Sequence, residues 1–68
     1  MSAAVDQMFL SSQQARSGGV VRRSLHDVNR LGTLPEIIKR AHHKGFHVIE
    51  TGGQLVLLCH EGELIIHC

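Results

Sequence analysis

The sequence of 68 residues contains no Trp, no Tyr and only two Phe, so aliphatic side chains must form most of any core. A chain of this length buries only about 60% of the surface that it exposes when unfolded. Such a core rarely supplies more than ~3–5 kcal/mol, and small domains often rely on disulfides, metals or association. It also leaves little material to enclose a pocket of ~300 Å³ or more. We therefore expect one small domain that is not an enzyme.

Long apolar runs are also missing. No stretch approaches the ~20 apolar residues of a membrane span, and the N-terminus lacks the cationic region and apolar run of a signal peptide. The two cysteines, in a chain without a signal peptide, are typical of free thiols in a reducing cytosol. We therefore expect a cytoplasmic protein that does not contact a membrane.

The strongest local pattern predicts a helix that begins after Thr33 and ends before Gly45. Thr33 and Glu36 have the spacing of a capping box, and Pro35 lies in the first turn, where its missing N–H costs nothing. Four apolar side chains then recur at helical spacing, and we expect them to form one stripe that faces the core: Leu34, Ile37, Ile38 and Ala41.

A shorter helix is predicted over Leu25–Leu31, with Ser24 as its N-cap. We expect residues 24–68 to form a single α+β domain, preceded by residues 1–23 as a flexible or partly helical segment. Within that segment, Ser, Gln and Gly residues favour a flexible connector. The alternative is a short helix whose Phe9 docks onto the sheet.

Beyond residue 45 the apolar period changes from 3.6 to 2, which predicts three strands. Their ranges are residues 46–51, 54–59 and 63–67, with turns at Gly52-Gly53 and at Glu61-Gly62. Such short connections require an antiparallel meander with the middle strand at its centre. The predicted fold class is therefore α+β. A short helix and one main helix pack on a three-stranded antiparallel β-meander, in the order helix-helix-strand-strand-strand.

The turns also set the register, which divides the sheet into two faces. Thr51 pairs with Gln54 and Leu57 lies opposite both Val48 and Ile66, so that one face is almost entirely apolar and suits the helical stripe. The second face should alternate to polar residues. Instead it carries a cluster of aliphatic side chains with histidines beside them: Ile49, Val56, Leu58, Ile65, His47 and His67.

This second face predicts the function, because an apolar surface of this kind is normally covered. Either the N-terminal segment or another copy of the chain can cover it. We expect a small non-catalytic binding or regulatory protein that acts through protein–protein contacts. Its partner is another protein or, more simply, a second copy that forms a homodimer through this face.

The charges leave an alternative open. All seven Lys and Arg residues lie between residues 16 and 44, together with only two acids, whereas residues 46–68 contain three acids and no Lys or Arg. Such a basic stretch suits phosphate contacts with nucleic acid. The alternative is a DNA-binding regulator that uses residues 22–44, with these candidate contacts: Arg22, Arg23, Arg30, Lys39, Arg40 and Lys44.

The two helices and the hairpin resemble a winged helix-turn-helix. With Gly32 as the turn glycine, four apolar residues match positions of that motif: Val28, Leu31, Ile38 and Ala41. Thr33 departs from the motif, since an apolar residue is usual there, and the hairpin lacks the basic residues of a wing. The resemblance implies DNA binding through the second helix.

Cys59-His60 and His67-Cys68 form a mirrored pair that could in principle hold zinc. Adjacent strand residues point to opposite faces, however, so the members of each pair cannot easily share one ion. We therefore expect neither a metal nor a cofactor, and the thiols are interpreted as packing groups.

Overall fold

The computed structural model describes residues 3–11 and 17–68, which contain helices and three β-strands. In chain order the elements are α1 (Ala3–Asp6), a π-helical turn (Gln7–Ser11), β1 (Val20–Ser24), α2 (Leu25–Leu31), α3 (Leu34–Lys44), β2 (His47–Thr51) and β3 (Gln54–Leu58). The three strands form one antiparallel sheet in the order β1-β3-β2. The predicted α+β class, with helices on a three-stranded antiparallel sheet, is confirmed.

The hairpin of β2 and β3 forms as predicted. Gly52 and Gly53 have φ angles of 56° and 76°, the positive values that a primed two-residue turn requires. Thr51 pairs with Gln54 and Val48 with Leu57. The middle strand of the sheet is β3, in agreement with the predicted central position of that strand.

The third strand is not the predicted one. Residues 63–67 form no strand, and β1 takes that place, so that Leu57 lies opposite Val21 rather than Ile66. Adjacent valines followed by adjacent arginines give β1 no alternation of apolar and polar residues, which is the pattern that reveals a half-buried strand. Pairing with β3 nevertheless orders this segment, because Val21 is buried in the core.

The main helix begins and ends at the predicted residues, but its N-terminus lacks the predicted capping bond. Gly45 adopts φ 77°, and the N–H of Phe46 donates to Ala41 O at 2.9 Å, as in a Schellman C-cap. The predicted capping box does not form, because Thr33 has ψ −3° and its side chain makes no capping hydrogen bond. Its hydroxyl instead donates to Val28 O at 3.4 Å and ties α3 to α2.

The helical stripe faces the core with one exception. Ile37 and Ala41 are each 1% exposed, but Ile38 is 49% exposed. A helix turns about 100° per residue, so Ile38 lies about 100° from Ile37, at the edge of the stripe. The prediction that all four stripe residues face the sheet is therefore wrong for Ile38.

Residues 3–11 contribute to the core, as the docking alternative expects. Val5, Met8 and Phe9 belong to the same buried cluster as Leu55 and Leu57 of the sheet. The Phe9 ring stacks on Phe46 with the centroids 6.4 Å apart. The predicted flexible connector falls largely on residues 12–16, which lie outside the described residues.

An ion pair fixes the N-terminal segment to α3. Arg40 Nη1 donates to Asp6 Oδ1 at 2.9 Å, and Arg40 Nη2 lies 3.5 Å from Glu36 Oε2. The guanidinium also lies 5.4 Å from the centroid of the Phe9 ring. The helices and the described residues of the N-terminal segment thus pack with the core on one face of the sheet.

Candidate protein-interaction surface

The second face of the sheet consists of three rows of side chains that cross all three strands. We call this set the second face; its rows are Val20–Leu58–His47, Arg22–Val56–Ile49 and Ser24–Gln54–Thr51. Each row joins directly opposed residues, whose side chains lie close enough to contact one another. The rows grade from apolar at one end of the sheet to polar at the Gly52-Gly53 turn.

The apolar end of the second face is partly buried. Val56, at its centre, is 6% exposed, yet it is not part of the core cluster. Leu58 and Ile49 are half-buried, and Val20 is 40% exposed. The buried residues of 3–11 pack in the core cluster instead, so within the described part of the N-terminal segment these residues do not cover the second face.

Four of the six predicted interface residues lie on this face, namely Ile49, Val56, Leu58 and His47. Ile65 and His67 do not, because residues 63–67 form no strand. The sequence pattern did not predict that Val20 and Arg22 of β1 lie on the second face. Their only signal is a short Val-Val pair after Gly18-Gly19, a weak indication of a strand.

Residues 59–68 leave the sheet beside the apolar end of the second face. The Nε2 atom of His47 contacts the carbonyl O of Gly62, and the His47 and His60 rings meet edge to face with centroids 5.8 Å apart. Beyond this point Leu64, Ile65 and Ile66 are all exposed. The start of this segment is therefore held against β2, whereas Ile65 and Ile66 further along are exposed to solvent.

The six cations of the DNA-binding alternative do not form one surface. Arg22 lies on the second face, whereas Arg23 lies on the opposite side and donates from Nη1 to Arg22 O at 2.7 Å. Arg30 pairs with Asp27 at 3.6 Å in an exposed position. Arg40 is committed to the ion pairs described above.

The remaining two cations are accessible, since both Lys39 and Lys44 are exposed on α3. His42 and His43 lie on the same helix and are exposed as well. This exposed side of α3 is therefore one basic surface of the described part of the chain.

The cysteines and histidines do not converge. Cys59 is buried and Cys68 is exposed, and both are free thiols. Within residues 3–11 and 17–68, no group of three or more His, Cys, Asp or Glu side chains is placed to hold a metal ion. Burial raises the pKa of the Cys59 thiol above its usual range, so Cys59 stays protonated at neutral pH and lacks the thiolate that a nucleophile needs.

The helices are short compared with the ~20 residues that a membrane-spanning helix needs. None of those in the described part of the chain has the length and apolar character to cross a membrane. A comparison of the sequence and structure with protein-family models, curated proteins and solved structures finds no match. The candidate function therefore depends on the geometry of the two sheet faces.

Proposed function

We propose that this chain is a small non-catalytic binding and regulatory protein, which acts through protein–protein contact and self-associates through the second face. The observation that carries this proposal is the apolar end of that face. Val20, Ile49, Val56 and Leu58 form one contiguous apolar patch on the side of the sheet opposite the core cluster. Removing such a patch from water stabilises a complex by about 25 cal/mol per Å² of apolar surface.

The composition of the patch favours a protein partner. Its aliphatic side chains are rimmed by the polar and charged groups of His47, Arg22 and Thr51, an arrangement typical of protein interfaces with an apolar centre and polar rim. A second copy is the simplest partner, because a two-fold axis brings the same patch onto itself. We place this protein in the cytoplasm, since both thiols are free and one of them is exposed.

The test compares aspartate substitutions inside and outside the patch. Leu58→Asp and Val20→Asp place a charge in the proposed interface, and we expect each to weaken self-association about 100-fold or more in analytical ultracentrifugation. Leu31→Asp is the matched control, because Leu31 is an exposed leucine on α2, away from the second face. Circular dichroism verifies that each variant is folded.

Two results would contradict the proposal. In the first, folded Leu58→Asp and Val20→Asp proteins associate as strongly as the wild type. In the second, Leu31→Asp weakens association as much as they do, which would move the interface to the helical side.

The alternative function is duplex DNA binding through the exposed side of α3. The observation in its favour is the accessibility of Lys39 and Lys44, while the commitment of Arg40 to Asp6 and Glu36 reduces the available charge. Phosphate contacts would make the affinity fall steeply as salt rises. A mobility-shift titration at low salt tests it; a Lys39→Gln/Lys44→Gln variant that binds as well as the wild type would contradict it.

A further inference from the structure

The outer edge of β2 has no partner strand among the described residues, since β2 lies at one end of the sheet. Two backbone hydrogen bonds show which residues of β3 bond to β1 and which bond to β2. The N–H of Cys59 donates to Gly19 O, and the N–H of Leu25 donates to Gly53 O, both at 2.9 Å. Both bonds continue the β1–β3 register, so they mark the alternate residues of β3 that bond to β1.

Alternation then determines which groups face outward from β2. Leu55 and Leu57 turn their N–H and C=O groups toward β1, and the residues between and beside them turn toward β2. Their partners on β2, such as Ile49, therefore face inward. Val48 and Glu50 direct their N–H and C=O groups to the outer edge, where no described residue forms a backbone bond with them.

A groove of about 530 Å³ runs beside this edge, between β2 and α3. Its lining includes Leu34 and Ile38 of α3, Val48 and Ile49 of β2, and Leu64 of the C-terminal segment. Ile38, which is not part of the core cluster, lines this groove. Unpaired backbone groups beside apolar side-chain positions are the two features that strand addition requires.

Residues 63–67 have the complementary properties. They form no backbone hydrogen bond within the described part of the chain, and Ile65 and Ile66 are 62% and 77% exposed. Their apolar pattern is the one that predicts a strand from the sequence. One chain therefore contains a strand-forming segment without a partner and a strand edge without a partner.

The size of the second face indicates that self-association needs more surface. Five residues at about 3.3 Å each on three strands about 4.8 Å apart give an outline of roughly 240 Å². A standard interface buries about 800 Å² on each partner. The face alone is therefore small for a stable dimer, and an added strand would supply further contact area and backbone hydrogen bonds.

Position favours a second copy as the source of the strand. His47 and Ile49 belong to the second face and also line the groove, so a copy docked on that face lies next to the β2 edge. The groove lining contains Glu50 and no Lys or Arg, so the match between the groove and residues 63–67 rests on apolar side chains and backbone groups.

We infer that residues 63–67 of one copy add as a strand to the outer edge of β2 of a second copy, with apolar side chains in the groove between β2 and α3. The inference rests on the proposed self-association and names the segment that completes it. Around a two-fold axis the contact is made twice, once by each copy. The backbone groups of Val48 and Glu50 supply the hydrogen bonds to the added strand.

Hydrogen exchange measured by NMR on the full chain tests this arrangement directly. The amides of Val48 and Glu50 should exchange about tenfold or more slowly at concentrations where the dimer dominates than at concentrations where the monomer dominates. The amide of Arg22, which faces outward on the opposite edge of the sheet, serves as the control and should stay fast. Equal exchange of Val48 and Glu50 at both concentrations overturns the inference. So does protection that is already complete in the monomer, because the chain's own segment then fills the edge.

A proline substitution separates this inference from the proposed function. Ile65→Pro removes a backbone donor from an exposed residue, and we expect it to weaken the dimer about tenfold or more and to abolish the protection of Val48. Ile65→Val is the matched control and should behave as the wild type. If Leu58→Asp dissociates the dimer but Ile65→Pro leaves it intact, the inference fails and the proposed function stands. A wild-type chain that is monomeric at every concentration contradicts both.

Discussion

The two faces of the sheet are both apolar at their centres, yet they differ in what lies against them. On the helix-packed face, Leu55 and Leu57 are fully buried beneath the helices and the N-terminal segment. On the second face, Val20 remains 40% exposed and Leu58 half-buried. Both faces thus satisfy the pattern of a core, but only one is closed by the described part of this chain. An apolar strand face in so small a domain can therefore form a core or an interface, and what covers the face decides which.

The largest effect should come from a charge on the helix-packed face. Ile37→Asp buries a carboxylate at a position that is 1% exposed in the wild type, and the penalty should exceed the ~3–5 kcal/mol that a core of this size supplies. Urea denaturation and circular dichroism should show an unfolded chain. The neighbouring Ile38→Asp, at 49% exposure, should stay folded; equal unfolding by both would break the distinction between the core and the groove.

A smaller effect should follow from removing the N-terminal cover of the helix-packed face. Phe9→Ala deletes a ring that is 4% exposed, stacks on Phe46 and lies under Arg40. Truncations of this kind cost about 3 kcal/mol or more in the free energy of unfolding. Leu10→Ala is the control, since Leu10 is exposed. If urea denaturation showed the same stability for both variants, the N-terminal segment would not be part of the core.

The smallest effect concerns pH and the Cys59 thiol, which lies in the core cluster of the helix-packed face. Its pKa is raised in the folded state by burial, so the thiolate forms more easily in the unfolded chain. The associated stability is complete below the unfolded pKa of about 8.5 and is lost as the pH rises toward the higher folded pKa. Urea denaturation from pH 7 to pH 10 should show this loss in the wild type and a smaller loss in Cys59→Ala. Parallel profiles would contradict the assignment.

Much of the fold could be predicted from local sequence because its signals are local. The left-handed glycines Gly45, Gly52 and Gly53 end the main helix and form the hairpin turn, and the β2–β3 register follows from that turn. The strand β1 could not be predicted in this way. Its pairing with β3 joins residues that lie thirty or more positions apart, and its Val-Val-Arg-Arg order carries no period of two.

The candidate interface was predicted in part for the same reason. Ile49, Val56 and Leu58 lie on the correctly predicted hairpin, so their shared face follows from its register. Ile65 was assigned to that face through a second turn that does not form, and Val20 was missed with its strand. The apolar pattern of residues 63–67 is real, but a pattern does not specify whether the partner strand belongs to the same chain.

Closure of the second face by another copy of the chain can be measured by sedimentation equilibrium of the full, untagged chain over a wide range of concentrations. We expect a reversible equilibrium between a monomer and a dimer of twice the 7.5 kDa chain mass. A single species with the mass of the monomer at every concentration, in protein that circular dichroism shows to be folded, would contradict it.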